Sequence, residues 1–397
     1  MKNIDKLQPY PFERLRALFA GAVHDGGLAH INLSIGEPKH PTPALLKQAL
    51  VDNLDGLAVY PGTQGLLEIR QTLAQWIDRR FGATVNPDTQ VLPILGSREA
   101  LFAFAQVVLD GAEAGSKVLF PNPFYQIYEG ATFLGGAEPV FVNIHPDTGL
   151  PDFSTVSPNT WSQTKLLYVC SPNNPTGAVY TLADWEKLFD LIDEFDIVLA
   201  SDECYSEIYL NEDEPPIGAL EAAARLGRSE FKNIVVFSSL SKRSNAPGLR
   251  SGFVAGDSDL IGRFLRYRTY HGSAMSTTVQ AASVAAWKDE AHVADNRAQY
   301  RAKFESFQHI LGESLPLSIP KAGFYFWVKV PGSDTDFAKR LFQEAHITVL
   351  PGSFLGRTQD GINPGDGHIR IALVASKQEC DEAAHRIKHF LNKGHQQ

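Results

Sequence analysis

A lysine set among hydroxyls and an arginine is the first chemically pointed feature of this chain. The segment SSLSKRSNAPGLRSGF, residues 238–253, puts Ser239 and Ser241 just before Lys242 and Arg250 eight positions after it. Serine hydroxyls and a planar guanidinium are phosphate donors. Like charge lowers the pKa of a neighbouring amine, so Lys242 in this company is a nucleophile suited to an aldehyde. An ordinary basic surface loop has the same composition. A second anion site is spelled by Gly96-Ser97-Arg98. Ahead of a helix starting near Glu99, the backbone N–H groups of Ser97 and Arg98 would point free donors along the helix dipole. A plain serine cap is the other reading. The third group is Asn174 of NPTG with Asp202 and Tyr205 of DECY. A carboxylate ending an apolar strand needs a cationic partner. A protonated pyridine nitrogen would be one, leaving Asn174 and Tyr205 to bond a neighbouring phenolate oxygen. An Asx turn at Asn174 and a simple ion pair at Asp202 stand as alternatives.

These side chains are far apart in sequence, so a common frame must bring them together. From residue 90 to about 256, short apolar runs alternate with segments of helical period: VLPIL (91–95), EALFAFAQVVL (99–109), VLF (118–120), KLLYVC (165–170), WEKLFDLIDEF (185–195), IVLASD (197–202), NIVVFS (233–238) and GFVAG (252–256). Strands with little polar alternation, interleaved with helices, predict a mainly parallel sheet covered on both faces. Ser97, Asn174, Asp202 and Lys242 each follow one of these strands, so all project from the carboxyl edge where ligands bind in open α/β folds. After about residue 275 the pattern changes to a long helical stretch (Val279 to about Leu311), FYFWVKV, a helix around FAKRLFQEA, the strands ITVL and HIRIALV, and a last helix. Thr181 with Asp184, and Ser376 with Glu379, spell capping boxes. The expected fold class is α/β, with a large domain over 35–278 and a smaller, discontinuous α/β domain built from 1–34 and 279–397.

Composition narrows the function classes. With 44% hydrophobic residues over 397 positions the chain can bury a large core, which excludes disorder as its main state. A net charge of −9 supplies no positive field for nucleic acid or an anionic membrane. Three scattered cysteines give neither a disulfide framework nor a thiolate zinc site, and a reducing compartment fits them. Phosphate-loop, dinucleotide and zincin signatures are absent. His385 and His389 are spaced like a metal pair but lack a third ligand, so no metal is expected. No signal peptide and no membrane span is read, and a cytoplasmic location is expected.

Taken together, the motifs resemble the fold-type I pyridoxal-phosphate enzymes, specifically the class I/II aminotransferases, over nearly the whole chain. The resemblance implies pyridoxal 5′-phosphate as cofactor, held covalently by Lys242, which also moves the substrate's Cα proton. It implies phosphate contacts from Ser97, Arg98, Ser239, Ser241 and Arg250, and ring contacts from Asn174, Asp202 and Tyr205. Tyr125 of PFYQIY would stack on the pyridine, with Phe124 the second choice. Tyr60 of VYPGTQG would reach the phosphate of the neighbouring subunit in a homodimer. Gly36 of SIGEP, Asn174 and Arg370 of HIRIAL would meet the substrate, Arg370 clamping its carboxylate. The phrases SLSKRSNAPGLRSGFVAGD and HGSAMSTTVQAASVAAW are most similar to the N-succinyldiaminopimelate aminotransferases. The implied reaction is reversible amino transfer from N-succinyl-LL-2,6-diaminopimelate to 2-oxoglutarate, in bacterial lysine and diaminopimelate synthesis. An aspartate, aromatic or kynurenine aminotransferase and a β-eliminating lyase are the alternatives, and a cofactor-binding regulator lacks a DNA-binding segment here. The extra carboxylates of such substrates need further cations. The segment RYRTYHG, with Arg266, Arg268 and His271, is their expected source, and Arg16 and Arg243 are other polar candidates.

Overall fold

The computed structural model describes residues 3–24, 26–312 and 314–394. Its strands are β1 (Ile31–Asn32), β2 (Val91–Ile94), β3 (Lys117–Asn122), β4 (Glu138–Asn143), β5 (Thr164–Cys170), β6 (Val198–Asp202), β7 (Ile234–Ser239), β8 (Gly252–Gly256), β9 (Tyr325–Lys329), β10 (Ile347–Thr348), β11 (Leu350–Pro351) and β12 (His368–Ala372). The helices are α1 (Pro11–Leu18), α2 (Ala44–Asp52), α3 (Leu67–Phe81), α4 (Ser97–Val108), α5 (Ile127–Leu134), α6 (Pro158–Gln163), α7 (Leu182–Phe195), α8 (Ala219–Arg225), α9 (Leu240–Arg243), α10 (Ser258–His271), α11 (Thr277–Lys288), α12 (Ala291–Leu311), α13 (Asp334–Ala345) and α14 (Lys377–Gly394).

Seven strands form one sheet in the order β2-β8-β7-β6-β5-β3-β4. All neighbours run parallel except β8, which is antiparallel to both β2 and β7. The central strands are buried on both faces, β7 and β8 along their whole length, which accounts for their lack of polar alternation. One apolar core on one side of the sheet includes Trp76, Trp185 and Leu199; another on the opposite side includes Phe104, Phe120 and Phe264. The capping box at Thr181 and Asp184 opens α7 as expected, and Ser376 with Glu379 makes the same pair of bonds before α14.

A second body of structure holds the three-stranded sheet β11-β12-β9 and the parallel pair β1-β10. Its core gathers Leu33, Phe304, Phe326, Leu341, Ile371 and Ile387. Three differences from the sequence reading have local causes. The run ITVL is two strands, since β10 pairs with β1 while β11 pairs with β12. The helical stretch from 279 is two helices, because the chain turns extended at Asp289, whose carboxylate then accepts the N–H of His292. Of these, α11 buries Val284, Ala286 and Trp287 in the large core beside Trp76, although the sequence division puts residues 279–288 with the small domain. Among the described residues, no helix is long and apolar enough to cross a membrane. His385 and His389 lie on the exposed face of α14.

Candidate active site

Register decides what meets at the sheet's carboxyl edge. Cys170 lies opposite Asp202, Asp202 opposite Phe237, and Ser239 opposite Gly252, so β5 and β6 end level with one another while β7 runs two residues further along the same edge. Because β8 runs antiparallel, its amino end sits at that edge, and this carries Arg250 to the other site residues. A cleft of about 830 Å³ opens here. Gly36, Ser97, Arg98, Tyr125, Asn174, Asp202, Tyr205, Ser239, Ser241, Lys242, Arg250 and Arg370 all line it. Tyr60 does not; its side chain is fully exposed on the loop before α3.

Two ionisable groups, the half-buried Lys242 and the buried Asp202, dominate the floor. Lys242 Nζ donates to the Gly36 carbonyl. Burial lowers its pKa to about 8, with Arg370 and Arg250 acting in the same direction. Its amine is therefore available as a nucleophile or base near neutral pH. The Asp202 carboxyl is buried, and desolvation raises its pKa. It accepts the Tyr128 hydroxyl at 2.8 Å and the Cys204 N–H at 3.3 Å, and has no ion-pair partner among the described residues. A protonated ring nitrogen fits that deficit, since it would offset the desolvation of the carboxylate.

An anion cradle lies beside this pair. Gly96, at φ +81°, ends β2 and leaves the first N–H groups of α4 without a side-chain cap. A Cβ at Gly96 would collide with the Arg250 guanidinium, so glycine is needed both for the turn and for the arginine's passage. Arg250 donates only to the backbone carbonyls of Pro247 and Leu95. The serine is not the cap the sequence allowed. Instead, the Ser97 hydroxyl accepts the Cys204 thiol at 2.9 Å. Helix N–H groups, serines and a guanidinium without a carboxylate form a donor set that fits a phosphate.

Opposite the cradle, Arg370 on β12 is buried, with one guanidinium nitrogen on Asn174 Oδ1 at 3.0 Å and another on the Ser34 carbonyl at 2.8 Å. Its Nε has no partner. A buried cation held only by neutral oxygens is prepared for a carboxylate. Tyr125 is half-buried on the cleft wall, whereas Phe124 is committed to the core against Phe120 and Phe141. A Cβ at Gly36 would collide with the Tyr325 hydroxyl, which itself bonds the Tyr205 hydroxyl at 2.9 Å.

The expected reader of distal carboxylates is overturned. Arg268 is wholly buried and grips the Glu99 carboxylate at 2.9 Å, while His271 bonds Ser273; neither they nor Arg266 line the cleft. The spacing of Leu260, Ile261, Phe264 and Arg268 on α10 places all four on its buried face, a signal present in the sequence. Arg243 is likewise structural, bonded to Glu290 and set beside Trp76 and Trp287. Arg16 alone of these candidates lines the cleft, together with Tyr10 and Glu13 of the amino-terminal segment. Tyr128, Cys204 and Tyr325 bond the site residues Asp202, Ser97 and Tyr205, and the sequence reading misses all three. Tyr128 ends the PFYQIY element and is visible there, but nothing in FYFWVKV marks Tyr325.

The fold and this donor set define a class, and comparison with known proteins agrees with it. Residues 29–387 match the family Aminotransferase class I and II, and the chain belongs to it. It is a pyridoxal-phosphate-dependent aminotransferase. An aminotransferase from Neisseria meningitidis has a similar structure at TM-score 0.95 and 51% identity, covering 98% of this chain and 99% of the other. An LL-diaminopimelate aminotransferase of Nitratidesulfovibrio vulgaris is 33% identical over 96% of each chain. A probable N-succinyldiaminopimelate aminotransferase from Thermus thermophilus is similar at TM-score 0.83 and 27% identity, covering 96% and 100%.

Proposed function

We propose that this aminotransferase moves the amino group of N-succinyl-LL-2,6-diaminopimelate to 2-oxoglutarate, reversibly, in diaminopimelate and lysine synthesis. The observation that carries the reading is one cleft holding a low-pKa lysine, a phosphate cradle and a carboxylate-seeking arginine, with a further arginine at its rim. The names of the N. vulgaris and T. thermophilus proteins support the diaminopimelate skeleton.

When bound, pyridoxal phosphate supplies the electron sink for charge developing at the substrate's Cα. Ser97 and Arg98 through their N–H groups, with Ser239, Ser241 and Arg250, would hold its phosphate. Asp202 would face its ring nitrogen, and Tyr125 would cover the ring. Tyr205 and Asn174 would bond the ring oxygen, Asn174 through its amide N–H₂, since its Oδ1 already accepts Arg370. Arg370 takes the substrate α-carboxylate in bidentate fashion and so orients the Cα–H bond. Gly36 leaves room above it. Lys242 would take the substrate's Cα proton at Nζ and hold it as an ammonium for return to the reacting group, a role suited to an amine whose pKa is lowered to about 8.

Arg16 reads the distal carboxylate, because it lines the cleft and no carboxylate pairs with it among the described residues. The working unit is a homodimer in which Tyr60 reaches the partner's phosphate. Its full exposure, with exposed Leu54, Leu57 and Val59 nearby, supports an interface there. The chain is taken as two domains, with the division falling after α11. Three free cysteines support a reducing, cytoplasmic setting.

The test is a donor panel with 2-oxoglutarate, reading glutamate formed. N-succinyl-LL-2,6-diaminopimelate is expected to give the highest kcat/KM. Preference for free LL-diaminopimelate would replace the substrate with that of the curated relatives, and equal turnover of tyrosine or kynurenine would defeat the diaminopimelate reading.

A further inference from the structure

Behind the cleft, a file of buried polar groups runs from α12 to the main chain of Lys242. Lys303 Nζ lies 2.6 Å from His40 Nε2, His40 Nδ1 lies 2.7 Å from Asn296 Oδ1, and Asn296 Nδ2 donates to the Lys242 carbonyl at 3.3 Å. Lys303, His40 and Asn296 are each more than nine-tenths buried. Chemistry fixes the direction of every bond. An ammonium only donates, so Nε2 of the imidazole accepts; the one remaining ring proton is then on Nδ1 and goes to Oδ1, which leaves the amide N–H₂ for the carbonyl. Burial and the nearby ammonium both favour neutral His40, which this tautomer requires. Asn245 also donates to Asn296 Oδ1 at 3.0 Å, fixing the amide's orientation.

The file joins the three carriers of the site. His40 follows the Gly36 segment, Asn296 holds the segment of Lys242, and Lys303 also donates to the carbonyl of Leu373, just past the strand bearing Arg370. Helix α9 is a single turn of four residues, so the Lys242 carbonyl gains no bond from a following turn and must be satisfied from outside. We propose that Lys303, His40 and Asn296 form a positioning relay that holds the Lys242 main chain in register with the Gly36 segment and the Arg370 strand. These three are positioning residues; none touches the substrate.

The relay has this meaning only with Lys242 as the catalytic lysine, so Lys242→Ala is measured alongside. The holoenzyme is compared with Asn296→Ala, His40→Leu, His40→Gln and Lys303→Met for kcat, KM, and the pH titration of the visible cofactor band. Asn296→Ala and His40→Leu are expected to lower kcat about tenfold, the rate equivalent of one lost positioning bond, with KM for the donor changed less than about twofold. The band's titration midpoint should shift in both. His40→Gln keeps one acceptor and one donor in the same order and should recover most of the loss. Unchanged kcat and unchanged titration in folded Asn296→Ala or Lys303→Met, with Lys242→Ala inactive, would overturn the relay alone. An active Lys242→Ala would overturn the lysine assignment itself. If Asn296→Ala does not fold, the contrast between His40→Leu and His40→Gln decides, and equal loss in both counts against the relay.

Discussion

Replacing Asp202 by Asn should act with opposite signs on the loaded and unloaded protein. Without a ring cation, Asp202 is a buried carboxylate relieved only by the Tyr128 hydroxyl and the Cys204 N–H. Burial raises its pKa above the usual 3.8. A group raised in the folded state favours folding below its unfolded pKa, and that contribution is lost as pH rises through the folded value. Wherever the group is ionised in the folded state its desolvation therefore weighs against folding, and the amide carries no such charge. The substituted amide retains an acceptor for one of the two donors, so the cofactor-free variant should gain on the wild type as pH rises, by up to about 1–2 kcal/mol, with no gain at pH 3. In the holoenzyme the amide leaves a buried ring cation without its counter-ion. Removing one partner of a buried pair costs about 3–5 kcal/mol, which corresponds to a fall of about 10²–10³ or more in kcat/KM. The assay pairs thermal melting of both forms at pH 3 and pH 7 with steady-state transamination. A variant within tenfold of wild-type kcat/KM would refute the assignment of Asp202 to the ring nitrogen, and a cofactor-free variant that gains nothing on the wild type as pH rises from 3 would refute the cost assigned to the buried carboxylate.

Lys242→Ala should bind cofactor through its phosphate and ring contacts yet show no turnover, which absorbance and glutamate release check together. Arg16→Ala should raise KM for the dicarboxylate partners about two- to fivefold while leaving alanine as donor nearly unchanged, since only binding of the distal group by an exposed cation is removed; an equal effect on both donors would remove Arg16 from that role. Tyr60→Phe should weaken cofactor retention without altering donor preference, and sedimentation of a fully active monomer would refute the shared site.

Local physical chemistry was legible in residue order. Apolar runs without polar alternation announced buried parallel strands, and the pairs Thr181–Asp184 and Ser376–Glu379 marked helix starts, because each depends on neighbours a few positions away. Ser97, Asn174, Asp202 and Lys242 could be placed at one sheet edge from strand order alone. Long-range pairing was not legible. Nothing near Arg250 says that β8 runs antiparallel, and that reversal is what brings its guanidinium to Gly96. Nor does RYRTYHG show that Glu99, 169 positions earlier, waits for Arg268; the partner of a buried charge is settled by which helices pack, so α10 spent its arginine on α4 and left the cleft to Arg16 on α1. The file from Lys303 to Lys242 is the same case, since His40 and Asn296 are 256 positions apart in sequence and meet only in the tertiary structure. Sequence alone determined the elements and the reactive groups, whose causes are local; tertiary structure decided direction, partner and proton order, whose causes are contacts between distant segments.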